Sequence, residues 1–155
     1  MGEIRKIIFV CHGNICRSPM AECIMADLLA KAGIAGVEVS SAATSTEETG
    51  NDTNPRSLEQ LARAGIPSRP HYAHRLTARE AEAADLIVGM DDYNMANLRR
   101  MVTPRQRAKL RKLLDFTASP RDVDDPWYTG DYSVAFADIM EGCMALLAFL
   151  RGGAQ

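Results

Sequence analysis

An α/β architecture, a parallel β-sheet with helices on both faces, is written into the order of this sequence. The runs Ile7-Ile8-Phe9-Val10 and Leu86-Ile87-Val88-Gly89-Met90 read as strands buried on both sides. Around them, apolar residues recur at helical spacing over segments too long for strands. Strand and helix alternate along the chain, which implies right-handed crossovers and a sheet covered twice. With 155 residues and no repeat, low-complexity tract or Pro/Gly-rich linker, the chain reads as one domain, residues 1–155.

The first strand lies within Ile4 to Val10. From Ser18 to Ala32, Met20, Cys23, Ile24, Leu28 and Leu29 share a helical face, and Gly33 stops the helix. Val37 to Ser41 is a second short strand. Asn54-Pro55 opens a helix with proline at its first position, and Gly65 closes it. Thr77-Ala78-Arg79-Glu80 fits a capping box before a short helix. Leu86 to Met90 is the third strand, and Asp91 through Met101 a helix with an acidic start. Lys112-Leu113-Leu114-Asp115 reads as a short fourth strand. The last helix runs from Ser133 to Leu150, with Val134, Phe136, Ile139, Met140, Cys143, Leu146, Leu147 and Leu150 on its apolar side.

Net charge is −2, from 18 basic and 20 acidic residues, which speaks against a domain-wide nucleic-acid footprint. Arg99-Arg100 and Arg105 to Lys112, the most basic stretch, read as a solvated face. No apolar run approaches the ~20 residues that span a membrane. The short run after Arg5-Lys6 lacks a small-residue cleavage site. A cytoplasmic protein without nucleic-acid or membrane partners, monomeric or weakly dimeric, is therefore expected. Cys11, Cys16, Cys23 and Cys143 are too few and too unevenly spaced for a secreted disulfide framework. No Cys-x2-Cys pair supports zinc, and no metal is expected.

Ligands of parallel sheets bind beyond the carboxyl ends of the strands, so the loop after the first strand is where chemistry belongs. It reads Cys11-His12-Gly13-Asn14-Ile15-Cys16-Arg17-Ser18-Pro19. Backbone N–H groups from His12 through Ser18 can converge on an anion, and the helix start adds unpaired donors and a positive dipole end. Gly13 and Asn14 are the residue types that most easily take the positive φ such a turn needs. Arg17 brings a planar fork that holds two phosphate oxygens at once. Donors and a cation around Cys11 favour sulfur as thiolate, the form that attacks phosphorus. Ser18 is placed to hydrogen-bond that sulfur as it leaves.

A phosphomonoester leaving group also needs a proton. Val123-Asp124-Asp125-Pro126-Trp127-Tyr128 offers Asp125, stiffened by Pro126, with Asp124 as the rival acid. Trp127 and Tyr128 are large aromatics in a polar segment, suited to walling a pocket for an aromatic group.

Cys-x5-Arg-Ser-Pro after the first strand, with Asp-Pro-aromatic-Tyr before the last helix, resembles the low-molecular-weight protein tyrosine phosphatases. The resemblance covers essentially the whole chain, including Ser41-Ala42-Ala43-Thr44. It implies a three-layer α/β/α fold with strand order 2-1-3-4 and hydrolysis of phosphotyrosine in proteins or of aryl phosphates. Cys11 would be nucleophile, Arg17 phosphate clamp, and Asp125 acid and then base. Asn14, Ser18, Ser41 and His71 would hold the loop in shape, and Cys16 would be a redox partner of Cys11. No cofactor is implied.

Ile15 stands where relatives acting on phosphoarginine tend to carry Thr, which leans the resemblance towards phosphotyrosine. One pocket wall usually bears an aromatic residue where this chain has Thr46-Glu47-Glu48-Thr49-Gly50, leaving Trp127 and Tyr128 to hold the ring. Glu47 and Glu48, with Asp131, form a candidate acidic rim favouring basic-flanked substrates. An arsenate reductase on the same scaffold would need relay cysteines, and none lies between Cys23 and Cys143.

Overall fold

The computed structural model describes residues 3–152, so Met1, Gly2 and residues 153–155 of the expected domain lie outside the described residues. Strands β1 (Lys6–Cys11), β2 (Glu38–Ala43), β3 (Leu86–Gly89) and β4 (Leu110–Lys112) pair in parallel in the order β2-β1-β3-β4. Helices α1 (Arg17–Lys31), α2 (Pro55–Arg63) and α6 (Tyr132–Leu150) pack together on one face of this sheet. Helices α3 (Ala78–Ala83) and α4 (Asp92–Met101) contribute to the core on the other face. The short α5 (Pro126–Thr129) precedes α6.

Five of the six residues of β1 are buried, as a central strand covered on both sides requires. Alternate residues still sort to different cores. Ile7, Phe9 and Cys11 join Met20, Ile24 and Ile139, whereas Ile8 and Val10 join Ile87, Leu98 and Leu110. That alternation puts Cys11 on the side where α1 begins.

The helix starts follow the sequence signals. Asn54 accepts from Arg56 N, and Thr77 with Glu80 completes the capping box. Two expectations need correction. The fourth strand begins two residues earlier and ends at Lys112, and Leu113–Phe116 is a 3₁₀ turn. Leu113 and Leu114 belong to the same core, which a turn allows and a strand, sending neighbours to opposite faces, does not. The other concerns length and polarity: α6 has 19 residues and an 18-residue stretch of mean hydropathy 1.7, enough by length and composition to cross a membrane. Its Asp138 and Glu141 both pair with Arg121, and Ala135, Ile139, Cys143 and Leu146 are buried in the core. Here it packs as a core helix.

Gly142 on α6 sits against Leu113, and an added Cβ would overlap the leucine's branched end. Leu113 is fully buried and cannot swing away. Gly142→Ala is expected to lower stability by about 1–3 kcal/mol, read as a lower urea midpoint at unchanged slope.

Candidate active site

Cys11 ends β1 and Arg17 begins α1, so five residues must turn the chain from strand to helix. Asn14 does this with φ 59°, the one non-glycine residue of positive φ among the described residues. Gly13 does not share that conformation, contrary to expectation. Its lack of a side chain serves packing instead, because a Cβ there would lie 3.2 Å from Glu48 Cγ.

The strained turn is held from behind. The Asn14 side chain is fully buried. Its Nδ2 donates to Ser18 Oγ (2.8 Å) and Ser41 Oγ (3.0 Å), and its Oδ1 accepts from His74 N (3.2 Å). His71 Nε2 donates to the Asn14 carbonyl at 2.6 Å. The four residues expected to support the loop are thus brought together. Ser41 in turn donates to Glu22 Oε1 (2.7 Å), whose other oxygen takes Arg69 (2.9 Å). From α2, Asn54 N donates to the Ile15 carbonyl and Ser57 Oγ to that of Cys16.

Cys11 Sγ lies 3.0 Å from Ser18 Oγ and accepts from Ser18 N at 3.4 Å. Ser18 Oγ accepts from Asn14, and its own proton faces the sulfur at 3.0 Å and the Ala42 carbonyl at 3.5 Å. Arg17 is almost completely buried. Its Nη1 donates to Asp91 Oδ2 (2.6 Å) and to the Val123 carbonyl (2.7 Å), while Nη2 reaches Asp125 Oδ2 (3.4 Å). Burial opposes the guanidinium's charge, but the Cys11 sulfur, Asp91 and Asp125 outweigh it and hold Arg17 charged, its pKa raised. Cys16 differs. Burial pushes its thiol up to about 11, against the lowering hydrogen bond from Tyr132 3.5 Å away.

Asp125 caps α5, its Oδ1 accepting from Trp127 N at 3.0 Å. Asp124 is exposed and outside the cavity, so geometry favours Asp125 as acid. The segment carrying Asp125 is pinned to the sheet: Val123 N donates to the Met90 carbonyl, and Lys112 bridges Asp92 and Asp122. The hydrogen bond to Asp122 and then that to Asp92 outweigh burial and raise the Lys112 pKa, so this lysine is no part of a solvated basic face.

An open cavity stands over the loop, walled by Glu47, Glu48, Asp125, Trp127 and Tyr128. The expected wall residues meet there. Asp131 does not line the cavity: it caps α6, and the Val134 amide and the Ser133 hydroxyl hold its carboxyl below the usual range.

Sequence reasoning missed Asp91, Asn54, Ser57 and Glu22. Only Asp91 carried a signal, as an acid just past the third strand on the sheet's carboxyl edge. Asp91→Ala leaves a buried guanidinium without its shortest partner. Stability should fall by about 3–5 kcal/mol, and KM for phosphate-bearing substrates should rise about tenfold or more. Urea unfolding and steady-state rates check the two parts.

The model of the family described as low molecular weight phosphotyrosine protein phosphatase matches residues 6–154. The low molecular weight phosphotyrosine protein phosphatase 1 of Drosophila melanogaster is 34% identical over 149 residues, covering 93% of this chain and 96% of that protein. The low molecular weight protein-tyrosine-phosphatase YfkJ of Bacillus subtilis is 36% identical over 149 residues, covering 94% and 96%. The crystal structure of YfkJ superposes with a TM-score of 0.92 over 99% of both chains at 35% identity. That of a Drosophila arginine phosphatase reaches 0.85 at 28% identity, covering 93% and 96%. The family match spans nearly the whole described chain and both relatives are more than 30% identical along almost their full lengths, so this chain belongs to the low molecular weight phosphotyrosine protein phosphatase family.

Proposed function

We propose that this chain hydrolyses phosphotyrosine in proteins through a phosphocysteine on Cys11. The observation that carries the reading is Cys11 Sγ facing Ser18 N–H and Oγ at the start of α1, in one cavity with Arg17 and Asp125. Loop N–H groups and Arg17 Nη2 hold the phosphoryl oxygens. Cys11 sulfur attacks phosphorus as the bond to the tyrosyl oxygen breaks, and Asp125 gives that oxygen its proton. Water then attacks the phosphocysteine, Asp125 takes its proton, and the S–P bond breaks to release phosphate and thiolate. Arrival of the phosphoryl group engages Nη2, so Asp125 Oδ2 is freed from its 3.4 Å contact for the leaving oxygen. Ile15, Trp127 and Tyr128 line the cavity with apolar surface suited to a flat ring.

The test is metal-free release of phosphate from matched phosphotyrosine and phosphoarginine peptides. Turnover of the first at a higher kcat/KM supports the reading; turnover of only the second overturns it.

A reducing cytoplasm suits a nucleophile that must stay a free thiolate, and all four cysteines are unpaired. Regulation by peroxide is part of the proposal. Peroxide turns Cys11 into a sulfenic acid, the Cys16 sulfur displaces hydroxide as water, and a disulfide protects the nucleophile until a thiol reductant restores it. Because the Cys16 pKa is raised to about 11, its thiolate fraction grows about tenfold per pH unit between neutrality and that value. Recovery of activity by reductant after peroxide should therefore be more complete at pH ~9 than at ~7. Cys16→Ser should lose it at both, and a variant as recoverable as wild type would end the idea.

A further inference from the structure

The segment after β2 bears no aromatic wall, and what it bears instead is fixed in place. Thr44 N donates to the Cys11 carbonyl, and Ser45 N and Oγ both donate to that of His12. His12 Nε2 pairs with Glu47 Oε2 at 3.0 Å, and the His12 ring lies 6.0 Å from that of Tyr93, an exposed residue of α4. Glu48 lies over Gly13, in space a side chain would take, and its Oε1 accepts from Asn51 Nδ2 at 2.8 Å. The Glu47 carboxylate is therefore bound to the nucleophile's own loop, the Glu48 side chain packs over that loop with its carboxylate held by Asn51, and both residues line the cavity that holds Cys11. This is more than a solvated loop.

The charge balance of the cavity follows. Its lining holds one permanent cation, Arg17, and that cation already faces Asp91 and Asp125. The floor attracts a phosphoryl group, while the wall presents Glu47 and Glu48 to whatever extends beyond the phosphorylated ring. A substrate that brings only its dianion meets repulsion at the mouth. One that brings a cation beside the ring exchanges that repulsion for attraction.

We propose that Glu47, held by His12, together with Glu48 selects phosphotyrosine flanked by Lys or Arg. The inference rests on the phosphotyrosine reading above and names its substrate class. A cation close to phosphorus is also what phosphoarginine carries in its own guanidinium, so the experiment includes that source as a separate arm. The ring-sized apolar surface of Ile15, Trp127 and Tyr128 favours the tyrosine source.

The measurement is kcat/KM for matched phosphotyrosine peptides with Lys or Glu at the neighbouring positions, beside p-nitrophenyl phosphate and a phosphoarginine peptide. Wild type and Glu47→Gln/Glu48→Gln are compared at about 20 and about 200 mM salt. Wild type should favour the Lys-flanked peptide about tenfold at low salt, mainly through KM, and less at high salt. The double variant should treat both peptides alike, and Glu47→Lys should invert the order. Equal wild-type values, or a preference that survives in the double variant, overturn the inference. If p-nitrophenyl phosphate and the phosphotyrosine peptides are turned over in that case, the phosphotyrosine reading stands without it. Turnover of the phosphoarginine peptide alone overturns both.

Discussion

Cys11→Ser is expected to lower kcat on a phosphotyrosine peptide by about 10⁴-fold or more while the peptide still binds. A serine hydroxyl fits where the thiol sits and keeps Ser18 N–H and Oγ as neighbours. It does not ionise at neutral pH to the extent a thiol does, and it forms a much poorer leaving group for the second step. The anion site does not depend on the sulfur. Asn14 keeps its turn through Ser18, Ser41 and His71, and Arg17 keeps its orientation through Asp91 and the Val123 carbonyl. Phosphate release measures the first claim, and calorimetric titration with the intact phosphopeptide measures the second. A variant retaining more than about one per cent of the wild-type rate would remove Cys11 as nucleophile.

Asp125→Asn is expected to cost about 10²–10⁴-fold in kcat, the range typical of a lost general acid. The substitution is chemically clean because asparagine caps helices as well as aspartate does. The contact of Asp125 Oδ1 with Trp127 N is thereby preserved, and with it α5 and the aromatic wall. The loss should depend on the leaving group. Tyrosine leaves poorly without a proton, whereas p-nitrophenolate needs little help, so the phosphotyrosine peptide should suffer more than p-nitrophenyl phosphate. Equal losses on both would assign Asp125 to positioning Arg17 rather than to proton transfer. Asp124→Asn, on an exposed side chain, should barely change either rate.

The elements most legible in the sequence are those dictated by local chemistry. The dense run of β1, Pro55 at a helix start and the Thr77–Glu80 box each announce themselves within a few residues. The loop between β1 and α1 is legible for the same reason, since Cys11 through Ser18 are contiguous. What the sequence conceals is long-range. Asp91 and the Val123 carbonyl meet Arg17 across 74 and 106 residues, and no local pattern marks either as its partner. Gly13 shows the subtler failure. Its residue type suggested backbone freedom, yet Asn14 makes the turn and Gly13 makes room for Glu48. Leu113-Leu114 misled in a third way: two apolar residues in a row suit a buried strand and a 3₁₀ turn equally, until the core decides.

Arg17 binds the ends of two other segments as well as facing the cavity. A lysine in its place would offer one nitrogen to Asp91, Val123 and an anion that a guanidinium can serve together. The arginine therefore ties three segments of the fold together, apart from any part it plays in turnover. Relatives of this chain that have abandoned hydrolysis should still keep it, while nothing in the fold would oblige them to keep a sulfur at position 11. On the mechanism proposed above, a pseudoenzyme on this scaffold is expected to lose the cysteine and keep the arginine.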